Sequence, residues 1–148
     1  IEYITGPASR QLTQKMTAGK GEGLGWQLFV GNQLKDRLQE AIDYNKIVIR
    51  ACAVESATKS LQLTLIDVFG IAYSATISLT QEMKDIEMPL TDFRISESLL
   101  LPRPYPGFLP LTFSAGEKEL LFIEKLDKLE VTIDSEENIE IQRIYLSK

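Results

Sequence analysis

Apolar and polar residues alternate with a period of two through much of the chain, and that period is the mark of strands that bury one face. In "KIVIRACAVE" (46–55), Ile47, Ile49, Ala51 and Ala53 share one face, and Val48, Arg50, Cys52 and Val54 share the other. "LQLTLIDV" (61–68) sends Leu61, Leu63 and Leu65 inward and Gln62 and Thr64 outward. Gly70 then marks a tight connection into "IAYSATISL" (71–79), where Tyr73, Ile77 and Leu79 take the inward register. "KDIEMPL" (84–90) alternates again, and Pro89, which cannot donate to a ladder, predicts an edge position or a strand end. "LDKLEVTID" and "NIEIQRIYL", separated by the turn-rich "DSEEN" (134–138), predict the last two strands, and "GWQLFV" (25–30) predicts an early one. A single stretch has helical spacing: "NQLKDRLQEAIDYN" (32–45) sets Leu34, Leu38 and Ile42 at i, i+4 and i+8 behind Asn32 as cap, a helix expected to lid one end of the core.

About eight short strands, glycine and asparagine turns, one brief helix and no βαβ rhythm predict an all-β fold. The expected architecture is an antiparallel β-sandwich of jelly-roll type. The first 24 residues carry the weakest pattern. With 148 residues and 44% apolar content, residues 1–148 are expected to form one domain around one core.

Charge narrows the partners. Sixteen basic against 21 acidic side chains give a net charge of −5, and no Lys/Arg run forms the footprint that a phosphate backbone needs, so nucleic acid is not expected. The excess is local: residues 117–140 hold nine acidic and three basic groups, read as a solvated acidic end. No apolar run approaches the ~20 residues of a membrane span. The chain opens at Ile1 with neither methionine nor signal peptide, as an excised or processed domain would.

Histidine is absent and Cys52 is the single cysteine, which removes intrachain disulfides, His-based nucleophile pairs and most zinc sites at once. Cys52 reads as a small buried hydrophobe. Paired carboxylates for glycoside cleavage are the surviving catalytic option, but the acids fall at polar strand positions and turns where solvation accounts for them, so no enzyme is expected. "TAGKGEGLG" (17–25) lacks the frame of a phosphate loop and reads as a mobile loop. "DSEEN" reads as an acidic turn without the spacing of an EF-hand, and no cofactor is expected, although a structural calcium is compatible with a jelly roll.

Aromatics are the remaining currency of recognition, since a sugar ring offers an apolar face to a flat side chain and a rim of hydroxyls to amides or guanidinium groups. "LLLPRPYPGFLPLTF" (99–113) packs four of six prolines into nine positions, and the prolines at 104 and 106 stiffen the backbone around Tyr105. The candidate carbohydrate-binding residues are Tyr105 and Trp26 as stacking surfaces, with Arg103, Arg50 and Gln62 for hydroxyls or an acidic substituent. Trp26 and Tyr73 also fit the core.

The run from "GWQLFVGNQLKDRLQEA" through "KIVIRACAVES", "IAYSATISLTQEMKDIEMPLTDFR", "LLLPRPYPGFLP" and "IEIQRIYL" resembles the accessory β-sandwich domains of glycoside hydrolases from gut and marine Bacteroidetes. Its middle portion also resembles the related domain of complex-I intermediate-associated proteins. The resemblance covers roughly residues 24–146 and implies the galactose-binding-like jelly roll of many carbohydrate-binding modules. It implies a noncatalytic module that holds an attached polysaccharide-degrading enzyme on its glycan. The implied partners are a polysaccharide or oligosaccharide and a catalytic domain of the same polypeptide, in a secreted, periplasmic or bacterial cell-surface setting. The long C-terminal insertions of that group are shortened here to "DSEEN". Fold does not dictate function, so two other roles stand beside this one: a structural domain bracing its enzyme, and a protein-recruiting adaptor.

Overall fold

The computed structural model describes residues 2–5, 12–21, 23–54, 59–96, 98–99, 112–113, 121–134 and 138–148. Its strands in chain order are β1 (Glu2–Thr5), β2 (Leu12–Thr17), β3 (Leu24–Phe29), β4 (Lys46–Ala53), β5 (Lys59–Asp67), β6 (Ala72–Leu79), β7 (Lys84–Pro89), β8 (Arg94–Ser96), β9 (Ser98–Leu99), β10 (Thr112–Phe113), β11 (Leu126–Ile133) and β12 (Asn138–Ser147). Sheet 1 runs β1-β2-β12-β4-β7 and sheet 2 runs β3-β11-β5-β6-β8, with every described pairing antiparallel. Among the described residues β9 pairs only with β10.

The period-two pattern accounts for how the sheets meet. Sheet 1 contributes Met16, Ile47, Ile49, Ala51, Ala53, Ile139 and Ile141, and sheet 2 contributes Leu61, Leu63, Leu65, Tyr73, Ile77, Leu79, Leu129, Val131 and Ile133, to one continuous buried cluster. The antiparallel β-sandwich expected from sequence is therefore the observed fold. β7 closes an edge of sheet 1 and ends on Pro89, as the proline predicted. The β5–β6 connection is held by Asp67, whose Oδ1 accepts from the backbone N–H of Phe69 (2.8 Å) and Ile71 (2.9 Å), and Gly70 supplies the left-handed step at φ +84°.

The 32–45 helix is corrected. Two short helices replace it, α1 (Gly31–Lys35) and α2 (Leu38–Ala41), and the residue flanking α1 is Val30 rather than Asn32, with no side-chain cap. The break at Asp36–Arg37 rotates the second turn, so Ala41 is buried while Leu38 and Ile42 face solvent. Leu34 still packs against the core, and the segment still covers one end of it. The first 24 residues, nearly silent in sequence, supply β1 and β2.

Candidate ligand-binding cleft

Two interruptions of the sandwich shape a cleft on one side. β3 is the edge strand of sheet 2. Opposite it, β2 pairs with β12 only from Asn138 to Ile141, so beyond Ile141 no described strand continues the ladder on that side of β12. A bulge at Gln142 marks the same point, because Ile141 opposes Ala51 and Arg143, not Gln142, opposes Arg50. Between β3, the second half of β12 and the α1–α2 segment lies a cleft of about 980 Å³, the size of ordinary small-ligand sites.

Its walls combine flat rings with hydrogen-bonding groups. Trp26 and Leu28 line it from β3, Gln33, Arg37 and Tyr44 from the helical segment and the loop after it, and Gln142, Arg143 and Tyr145 from β12. Trp26 and Tyr44 are half-buried and packed against the core cluster, which fixes their rings at little further entropic cost. Gln14 enters from β2 and is buried, and among the described residues its Nε2 has no hydrogen-bond partner.

Arg50 lies on the outer face of sheet 1, where its Nε–H donates to Gln142 Oε1 at 2.9 Å. Its Nη1 is 3.6 Å from Asp85 Oδ1, and Arg143 Nη2 donates to Asp85 Oδ2 at 2.9 Å. The Arg143 guanidinium in turn stands 5.3 Å from the Tyr145 ring. These groups are half-exposed, so each ion pair contributes at most about 1 kcal/mol, and their effect is to fix directions rather than to stabilise. Val48, flanked in register by Tyr145 and Glu87, is 2% exposed.

Gln62 lies elsewhere. It faces out from sheet 2, donates to Thr64 Oγ1 at 3.4 Å and joins a hydroxyl row in which Thr64 meets Ser74 at 2.7 Å and Ser74 meets Ser96 at 2.6 Å. The recess beside it measures about 70 Å³, room for a few waters but not for a sugar ring. The structure thus brings Trp26 and, through Gln142, Arg50 to one region, and puts Gln62 on another surface. Arg103 and Tyr105 lie outside the described residues.

Several cleft residues escaped the sequence reading. Gln142, Arg143 and Tyr145 were legible in principle: the apolar positions of "NIEIQRIYL" run Ile139, Ile141, then Ile144 and Leu146, and the spacing of three across Gln142 is the trace of a bulge. Gln14, Arg37 and Tyr44 left no such trace. Among the described residues no group of three or more His, Cys, Asp or Glu side chains is arranged to hold a metal ion, and of "DSEEN" only Asp134 and Asn138 are described. No helix among the described residues is long and apolar enough to cross a membrane.

No protein-family model and no curated protein matches the chain. Solved structures do. The family 11 carbohydrate-binding module from Clostridium thermocellum, in complex with a β-1,3-1,4-mixed-linked tetrasaccharide, is similar over 98% of this chain and 79% of its own, at TM-score 0.61 and 15% identity. The family 11 module of a cellulosomal cellulase of the same organism gives TM-score 0.57 at 16% identity, over 98% of this chain and 78% of that one. An exo-β-agarase gives TM-score 0.57 at 13% identity, where the whole of this chain spans 22% of the agarase. At such identities the likeness concerns the fold, which is the β-sandwich of carbohydrate-binding modules.

Proposed function

We propose that the chain is a noncatalytic carbohydrate-binding module that takes an oligosaccharide or polysaccharide in the cleft beside Trp26. The observation that carries this reading is a site-sized cleft in which the sole tryptophan stands with Tyr44 among amide and guanidinium groups. A pyranose sets its apolar face on the Trp26 ring, while Gln33, Arg37 and Gln142 reach its hydroxyls. Arg50 acts one step back, holding the Gln142 amide in a fixed orientation. Tyr105 and Arg103 belong to the same proposal as further contacts read from sequence. The fold shared with carbohydrate-binding modules supports the reading, and the agarase in which this fold is a 22% segment supports attachment to a secreted glycan-degrading enzyme.

Affinity electrophoresis through mixed-linkage β-glucan and through agarose tests it. The wild-type protein is expected to be retarded in at least one gel, Trp26→Ala to migrate freely, Tyr105→Ala to be retarded less, and Gln62→Ala to behave as wild type. Free migration of the wild type in both gels, together with no heat on titration of oligosaccharides from either polymer, would overturn the proposal.

A bracing role is favoured by a different observation. Where β3 and β5 finish and β11 begins, Phe29 (66% exposed), Phe69 (66%) and Phe122 (47%) stand at the surface, with Lys125 Nζ 5.3 Å from Phe69 and 5.1 Å from Phe122. Such an end suits packing on a neighbouring catalytic domain.

A further inference from the structure

Among the described residues that line the cleft, the most buried polar side chain is that of Gln14. It projects from β2 between the sheets, 7% exposed, next along the inward face to Met16, which is fully buried. Its register neighbour on β12 is the buried Ile141, and the cleft lining also holds the buried apolar side chains of Ala41, Ile47, Leu126 and Leu129. An N–H held in such surroundings is costly unless an acceptor reaches it, and among the described residues Gln14 Nε2 has no hydrogen-bond partner. A core position filled only for packing favours Leu or Met, which leave no donor unpaired. The glutamine is therefore explained by something that enters the cleft and carries an oxygen acceptor.

We infer that the inner end of the cleft is a pocket for the terminal ring of a glycan, where Gln14 Nε2–H donates to a hydroxyl or ring oxygen of that sugar. The inference rests on the carbohydrate-binding reading and deepens it by naming which part of the glycan is held. A ring that touches a side chain 7% exposed must itself be largely withdrawn from water. An internal residue of a polymer carries a glycosidic link on both sides, and both would have to leave the pocket. A terminal residue carries one link, which leads out of the pocket toward solvent. The module so built recognises chain ends and short oligosaccharides, not the middle of a chain. Loss of a donor from a buried, otherwise apolar site discriminates strongly, because the sugar's oxygen is then desolvated without compensation.

Calorimetric titration of the wild-type protein, Gln14→Met and Trp26→Ala with β-1,3-1,4-mixed-linked tetrasaccharide, agarose-derived oligosaccharides and the two intact polymers tests this. The wild type is expected to bind an oligosaccharide at least tenfold more tightly than the matching polymer, counted per repeat unit. Gln14→Met is expected to weaken oligosaccharide binding at least tenfold while leaving the melting temperature unchanged or raised, since it removes an unpaired donor and keeps the volume. A wild type that binds while Trp26→Ala does not, with Gln14→Met binding as well as wild type, overturns the Gln14 pocket and leaves the cleft reading standing. Equal affinity per repeat for polymer and oligosaccharide overturns end recognition. No binding by the wild type to any probe removes both. If Gln14→Met fails to fold, the wild-type protein still decides: the Gln14 side-chain NH2 cross-peak in a ¹H–¹⁵N spectrum must move as oligosaccharide is added, and an unmoved cross-peak overturns the inference.

Discussion

At the scale of single residues, two positions hold the β5–β6 hairpin in complementary ways. Asp67 is 6% exposed and its Oδ1 satisfies two backbone N–H groups of the turn, so Asp67→Ala leaves both without their acceptor and is expected to cost about 1–3 kcal/mol. Asp67→Asn keeps the acceptor and is expected to recover most of that loss. Gly70→Ala meets no steric contact, yet the φ of +84° is strained for any side chain, and a cost of about 1 kcal/mol is expected. Urea unfolding of the three variants reads these differences directly.

Cys52 makes a separate case. Burial pushes its thiol up from the ordinary value, and the carboxylate of Glu140, its register partner, pushes the same way against a smaller backbone hydrogen bond. The folded state thus holds the thiol proton more tightly than the unfolded chain does. The stability linked to it is full below the unfolded thiol pKa of about 8.5 and is lost as pH rises through the raised folded value. Melting temperature is expected to fall across that alkaline window, and Cys52→Ala is expected to flatten the fall. Iodoacetamide at neutral pH is expected to label the folded protein far more slowly than the protein in urea.

At the scale of elements, legibility followed burial. Strands that bury a full face, such as β4, β5 and β11, were readable because every second side chain must be apolar for the sheets to pack. The helix was misread because Leu34, Leu38 and Ile42 satisfy a helical period that the break at Asp36–Arg37 never lets them use. The cleft was half legible. Trp26 and Arg50 were singled out by residue chemistry, whereas their connection passes through Gln142, a bulge residue whose position depends on pairing between strands some ninety residues apart. Gln62 was chosen for the same chemistry and lies on the outer face of sheet 2, away from the cleft, because a single strand pattern says which side is outward but not what that side meets.

The bulge yields its own prediction. Deleting Gln142 leaves Ile141 opposite Ala51 and Arg143 opposite Arg50, so β12 becomes regular with Ile144 and Leu146 still inward. The deletion variant is expected to unfold cooperatively within a few degrees of the wild type, and to lose retardation in the gels because Arg50 has no Gln142 to hold and one wall of the cleft is gone. A variant that binds as before would show that the bulge serves the strand alone.

At the scale of the molecule, the strand last in sequence order, β12, is the one sheet 1 is built around. β12 lies between β2 and β4, pairing Ile139 with Met16 on one side and with Ala53 on the other, so each ladder joins residues far apart in sequence. Its inward residues Ile139 and Ile141 belong to the same cluster as Leu63, Leu65 and Val131 of sheet 2, which makes the two sheets one cooperative unit. Contacts of this separation are formed late and at high entropic cost, so folding in milliseconds to seconds is expected rather than in microseconds. Removing residues 138–148 strips the centre from sheet 1, separates β2 from β4 and opens the core along its length. The truncated chain is expected to show no cooperative thermal transition, to bind ANS and to lose its near-ultraviolet dichroism. A sharp transition in the truncated chain would mean that sheet 2 folds alone, and the single core would have to be redrawn as two.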